Sequence, residues 1–331
     1  MHDVADPVRY HSISLVGNRQ LFAFADRLAA LQSTPIVHHL FIAGLQVRYV
    51  EIAELGSQFS FERWHELQTQ TRADIAKLSA TILTILAIAA PRLHSLGIHD
   101  WNVDLGADDL PTFPFLHDIT LVSRPRGSLV PDGRFPSLRR LHIYTASTGL
   151  DFWLALTHLT SRATHLRLSG LSEDSRTPRF LRVLLNLPAA QRAWHGLPTL
   201  DVDDGYAPDS PEAAQAVELA ARFLQLEHVS VQPASYGTDD DWRCETGERT
   251  HARMGTSLAR LAAESERGEG VRTFVLLPEQ RSYGRDEARR DWLNVIEGGE
   301  GPWSPGFALC GNASPAERAV SLGERCVLGV A

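Results

Sequence analysis

A six-residue pattern, apolar-x-x-apolar-x-apolar, recurs eight times in order along this chain and constrains its fold more than any other feature. It reads VHHLFI from Val37, LHSLGI from Leu93, LHDITL from Leu116 and LRRLHI from Leu138. It continues as ATHLRL from Ala163, LPTLDV from Leu197, LEHVSV from Leu226 and VRTFVL from Val271. Successive starts lie 56, 23, 22, 25, 34, 29 and 45 residues apart. Side chains alternate between the two faces of an extended segment, so the fourth and sixth positions point one way. Pairs such as Leu96/Ile98, Ile119/Leu121, Leu141/Ile143 and Leu166/Leu168 should therefore line a shared apolar interior.

Helix-compatible stretches separate these segments, among them Asp151–Thr160, Arg179–Leu187 and Glu212–Leu224. Ser210 and Pro211 supply a start signal for the last of them. Strand, return helix and strand again implies parallel pairing, and no single unit can bury its own apolar face, so neighbours must stack. Three consecutive intervals fall inside the roughly 20–29-residue period of leucine-rich repeats, and a fourth sits at its edge. The expected fold is α/β: a leucine-rich-repeat-like solenoid with a parallel inner sheet, outer helices and irregular repeats. A doubly wound α/β domain is the rival, since it too alternates strands and helices.

The departures from the pattern suggest the organisation. Residues 1–90 form a helical N-terminal segment carrying the first repeat strand, with helices expected over 18–32 and 61–90 and Ser60 as an N-cap. Residues 91–297 form the solenoid, with a long surface insertion over 233–270. Residues 298–331 form a C-terminal tail and cap, in which Ser314-Pro315-Ala316-Glu317 reads as a capping box.

The resemblance enters at the ends of the chain. The opening YHSISL followed by a helix and VHHLFI, the strands PRLHSLGI and PSLRRLHI, and the ending VRTFVLLPEQRSYGRDEARRDWLNVIEGGEGPW resemble fungal, particularly basidiomycete, F-box/leucine-rich-repeat-like proteins in the region C-terminal to the F-box. The DWL…GGEGPW stretch is the most specific part. The resemblance implies a substrate-binding role in a ubiquitin-ligase receptor. The F-box itself is not visible, since nine residues precede Tyr10, so a Skp-type adaptor is expected only if an upstream F-box exists. The Asn or Cys of a regular repeat is also missing; Trp101 and Leu171 stand in its place in two units.

Charge and cysteine usage narrow the partner class. Net charge is −8 and no Lys/Arg block stands out, which argues against nucleic acid. The three cysteines, Cys244, Cys310 and Cys326, are few and dispersed, as expected in a cytoplasmic or nuclear protein without a disulfide framework. The most apolar run, Leu78–Ala90, reads as a buried helix too short for a bilayer, so no membrane association is expected.

The outward strand positions form the candidate binding face. On it His99, Asp118, Arg140, His142, Tyr144, His165, Arg167, Asp201, Asp203 and His228 are the expected partner-binding residues, with an acidic rung at Asp201 and Asp203 beside a central Arg/His patch. Arg and Tyr carry much of the energy at interfaces. Five of the fourteen histidines fall on outward positions, yet no H-x₃-H or C-x₂-C spacing supports a metal. The Asp239–Asp241 run lies among loop residues, no P-loop or G-x-S-x-G elbow is present, and no cofactor is expected. The expected function is therefore non-catalytic protein recognition. The alternative is an enzyme with its site at the central Arg/His patch or the 233–270 loop.

Overall fold

The computed structural model describes residues 10–31, 35–44, 61–99, 109–122, 133–145, 148, 150–160, 162–171, 176–185, 217–223, 225–235, 245–268, 272–279, 283–299 and 301–303. The fold is α/β, with an open, all-parallel sheet of eight strands ordered as in the sequence. The strands are β1 (Ser12–Val16), β2 (His39–Ala43), β3 (Ser95–His99), β4 (Asp118–Val122), β5 (Arg140–Tyr144), β6 (His165–Leu171), β7 (His228–Pro233) and β8 (Thr273–Leu276). Helices α1 (Asn18–Ala30), α2 (Phe61–Ala89), α3 (Leu150–Leu159), α4 (Arg176–Leu184), α5 (Glu245–Glu266) and α6 (Arg285–Ile296) accompany them.

Seven of the eight patterned segments are strands of this sheet. LPTLDV from Leu197 lies outside the described residues, and β6 and β7 are direct neighbours. The eighth strand is instead β1, whose hexad YHSISL opens on Tyr10 rather than an aliphatic residue. The expected surface insertion over 233–270 contains the 22-residue helix α5, between β7 and β8. Its apolar positions Met254, Leu258 and Leu261 recur at helical spacing and are buried, a signal diluted by the many polar residues around them.

The described residues divide into two compact units. In the first, β1 to β4 run in register. Ile13, Leu40, Leu96 and Ile119 form one row, and Leu15, Ile42, Ile98 and Leu121 the next. All eight side chains are buried, as alternation required. Helix α1 buries Leu21 and Leu28, two turns apart, and Lys77 of α2 places its Nζ 4.8 Å from the centroid of the Phe22 ring. Gly17, at φ 86°, turns the chain from β1 into α1 while its N–H donates to the Ala43 carbonyl.

Thr69–Arg92 is long and apolar enough to cross a bilayer, with a mean hydropathy of 1.7, so the expectation of a segment too short to span one is corrected. A third of its most apolar stretch is buried in the fold, where Leu78, Ile82, Ile85, Leu86 and Ala89 line one stripe. That spacing is the core face of an amphipathic helix.

In the second unit β7 and β8 pair from His228↔Thr273 to Val231↔Leu276. Helix α4 buries Phe180, Leu181 and Leu184, and its Arg182 meets Glu264 of α5 at 3.4 Å. The Arg272 guanidinium donates to the Leu184 carbonyl at the end of α4.

Strand starts are tied by one recurring backbone device. The His11 carbonyl accepts from the N–H groups of both His38 and His39, and the His38 carbonyl from those of His94 and Ser95. The His94 carbonyl serves His117 and Asp118, that of His117 serves Arg139 and Arg140, and that of Arg139 serves Thr164 and His165. A shared carbonyl at each rung satisfies two donors, so these turns are closed without the asparagine that the repeat pattern lacked.

Candidate functional site

Two side-chain clusters emerge on the strand face opposite the apolar rows, one in each unit.

In the first unit the row begins at Ser12, His39, Ser95 and Asp118, which the strand register aligns. Arg140 opens the next strand and grips Asp118 with both arms of its guanidinium, Nε to Oδ1 and Nη2 to Oδ2 at 2.9 Å. This bidentate geometry fixes both side chains while each stays partly open to solvent. His165 follows, its Nδ1 2.8 Å from the Thr164 hydroxyl. His39 Nδ1 meets the Ser95 hydroxyl at 2.9 Å. Burial is the main force holding the His39 imidazole down at about 4, reinforced by the neighbouring His11, His94 and His38 and opposed by Asp118.

A second row lies one residue earlier, where His11, His38, His94 and His117 precede four consecutive strands. Their rings line up along the strand starts, tilted to one another, with centroids 4.1 Å apart for His11–His38, 4.7 Å for His38–His94 and 5.9 Å for His94–His117. Burial pushes His38 and His94 below the ordinary histidine value, and neighbouring imidazoles act in the same direction. His117 Nδ1–H donates to the Ser137 carbonyl at 3.0 Å, which sets its tautomer. The face reading passed over this row because only the third, fifth and seventh positions were counted as outward. The signal was nonetheless present: the second letter of YHSISL, VHHLFI, LHSLGI and LHDITL is His each time. Among the described residues no group of three or more His, Cys, Asp or Glu side chains could hold a metal ion.

In the second unit the expected open face is closed, which corrects the site reading. Arg167 is 2% exposed; its Nη2 donates to Gln232 Oε1 at 2.6 Å and its Nε to Ser169 Oγ at 3.2 Å. Gln232 in turn donates to the Pro278 carbonyl at 3.2 Å. Tyr144 stacks on Tyr283 with centroids 5.3 Å apart and planes 23° from parallel. The Tyr283 hydroxyl donates to Asp291 Oδ2 at 2.7 Å, while Asp291 Oδ1 is buried without a hydrogen-bond partner among the described residues. Burial, the largest influence, raises the Asp291 carboxyl to about 7, against the Tyr283 hydrogen bond and the Arg167 charge. Burial likewise lowers the Arg167 guanidinium, opposed by Tyr283 and Asp291. Polar strand positions that the sequence leaves to solvent are thus buried, with Tyr283 against Tyr144 and with Tyr283 and Asp291 acting on the Arg167 charge. Nothing in the repeat foretells this, because Tyr283 and Asp291 lie after the last rung.

The remaining expected residues separate. His142 belongs to the first unit and is fully buried, so it offers a partner nothing. His99 closes β3 half-buried. His228 is half-exposed, with its Nε2 4.0 Å from Glu227. Asp201 and Asp203 lie outside the described residues, and Gln232 of β7 is the side chain that meets Arg167.

Gly170 marks how tightly the second cluster is closed. Its φ is 81°, and a Cβ there would collide with the Tyr144 ring. Gly170→Ala should cost about 1–3 kcal/mol through left-handed strain plus displacement of the Tyr144–Tyr283 stack. Urea denaturation would read the loss and near-ultraviolet circular dichroism the loosened tyrosines; an unchanged midpoint would remove the close-packing argument.

A cleft of about 650 Å³ in the first unit is lined by Gly133, Phe135, Pro136, Thr157, His158, Arg162, Arg222 and Gln225. Among the described residues no carboxylate or cysteine lines it, and Arg222 is paired with Glu218 at 2.9 Å. Comparison with protein-family models, curated proteins and solved structures finds no match for this chain.

Proposed function

We propose that the chain is a non-catalytic recognition scaffold, a leucine-rich-repeat-like solenoid whose first unit presents the partner-binding surface. The observation that carries the reading is the in-register row in which Ser12, His39 and Asp118 flank a buried Ser95, with Arg140 clamped bidentately to Asp118. Strands stacked in sequence order place unlike polar groups side by side at fixed spacing, which suits a polar protein surface. A charge pair already ordered by its own hydrogen bonds loses little freedom when a partner docks. The strand-order arrangement and the hexad repeat support the solenoid reading, and the resemblance to F-box/leucine-rich-repeat-like chains supports substrate selection for a ubiquitin ligase. In that role a Skp-type adaptor would bind an F-box supplied by a longer product.

The enzyme alternative set its site at the Arg/His patch or at 233–270. Arg167 is 2% exposed and hydrogen-bonded to Ser169 and Gln232, and residues 245–266 are helical, so the recognition reading is favoured.

The test is affinity capture from native extract with the wild-type chain and with Asp118→Lys. The wild type should enrich a specific protein, and the variant should lose at least about tenfold of it, since reversing a charge at an interface typically costs over 1.4 kcal/mol. Equal recovery by both would remove this row from the interface.

A further inference from the structure

Neither the repeat nor the Asp118–Arg140 clamp requires the row of closely spaced imidazoles along the strand starts of the first unit. His11, His38, His94 and His117 hold the same position on four successive rungs, and His39 flanks them with its ring 5.6 Å from His11 and 6.2 Å from His94. Arg139 takes this position on the next rung and is exposed, and Arg92 adds a second cation beside His38. Phe115, 47% exposed, stands 6.4 Å from the His94 ring. Among the described residues, Asp118 is the carboxylate that acts on His39, and it is already committed to Arg140.

This composition gives the edge two states. With neutral rings it is a polar aromatic row with an apolar tip at Phe115. Protons add positive charges at 4–6 Å separations, with Arg92 beside them, and mutual repulsion makes each addition harder. Carboxylates from outside relieve that repulsion and let the rings keep their protons, so binding and protonation favour one another.

We propose that this histidine row is a proton-linked docking edge for an acidic segment of a protein partner, with Phe115 receiving an apolar side chain of that segment. Charge complementarity favours this occupant. Protonated imidazoles of the edge would stand beside Arg92 and Arg139, while Asp118, the carboxylate that acts on His39, is internally paired. A nucleic acid fits less well, because the chain's net charge of −8 opposes a polyanion wherever the local cations do not dominate. An acidic peptide brings only as many charges as the edge can meet. The inference rests on the recognition reading and assigns it a partner chemistry and a condition.

The experiment uses the full chain and a fluorescein-labelled oligoglutamate carrying one tryptophan, followed by anisotropy at about pH 5.5 and 7.5, which bracket the ordinary histidine value. Circular dichroism at both values checks that the chain stays folded. Binding should be at least tenfold tighter at the lower pH, with proton uptake on calorimetry in buffers of different ionisation heat. His38→Gln/His94→Gln should abolish most of that gain. His228→Gln, which removes an imidazole from the second unit, should leave it intact and so controls for net charge. His39 and His117 are left alone because their hydrogen bonds support neighbouring strands. Equal affinity at both pH values, an equal effect of His228→Gln, or tighter binding of a single-stranded oligonucleotide of the same charge would each overturn the proposal. If captured partners are lost with Asp118→Lys but kept with His38→Gln/His94→Gln at low pH, recognition stands and the histidine edge falls.

Discussion

Replacing Arg167 with methionine should lower the unfolding free energy by about 1–3 kcal/mol, the cost of leaving buried acceptors of a hydrogen-bond network without their donor. The guanidinium is 2% exposed and donates to Ser169 and Gln232, so its loss leaves the Gln232 oxygen without its strongest donor. It also removes the nearest positive charge acting on Asp291 and Tyr283. Against a typical total stability of about 5–15 kcal/mol, this is a large fraction. Arg167→Lys should recover only part of it, because an ammonium cannot reach two acceptors in the planar fork that Arg uses. The double variant Arg167→Met/Asp291→Asn should be less destabilised at neutral pH than Arg167→Met alone, since it also removes a carboxyl whose ionisation in the fold the Arg167 charge favours. Urea denaturation of the four proteins measures all of this. A methionine variant within about 1 kcal/mol of the wild type would mean that the cluster is solvated and that the closed second face is not real.

Asp291 should give the stability of the chain a pH dependence of unusual sign. Its carboxyl sits at about 7 in the folded chain against 3.8 for an ordinary aspartate, chiefly through burial. Between those two values the folded state holds a proton that the unfolded chain has released. Stability from this group therefore falls as pH rises from about 4 to 7, then levels off. The shift corresponds to about 4 kcal/mol at 1.36 kcal/mol per unit. His39 acts the other way. Its imidazole lies at about 4 rather than 6.5, so its contribution is lost as pH falls through that interval. The two slopes oppose one another in the wild type, and subtraction separates them. Asp291→Asn should gain on the wild type steadily from pH 4 to 7 and hold a constant advantage above, as followed by thermal or urea unfolding across that range. A difference curve that is flat, or that slopes the other way, would show the carboxyl to be ionised and paired in the folded chain.

The strands were legible because an apolar hexad is a local signal. Alternation needs only neighbouring residues, and the rows Ile13/Leu40/Leu96/Ile119 and Leu15/Ile42/Ile98/Leu121 follow once strands stack. Helices α1 and α2 fell within a few residues of expectation for the same reason: their apolar stripes recur at 3.6-residue spacing. The histidine row was equally readable, since the second letter of four hexads is His, but a rule that sorts only odd positions to the outside passes over the residue just before the strand.

Periodicity along the chain thus determined by itself that these segments would be strands, which side chains would be apolar rungs, and that neighbours would have to stack to bury them. It could not say what lies on the other face, because an outward position is the same letter whether water or another part of the chain covers it. Only the tertiary structure decided that Asp118 and Arg140 stay partly open while Arg167, Ser169 and Gln232 are buried, with Tyr283 and Asp291 acting on the Arg167 charge. Tyr283 and Asp291 come after the last repeat, and contact between segments so far apart in sequence depends on three-dimensional packing rather than on any local pattern.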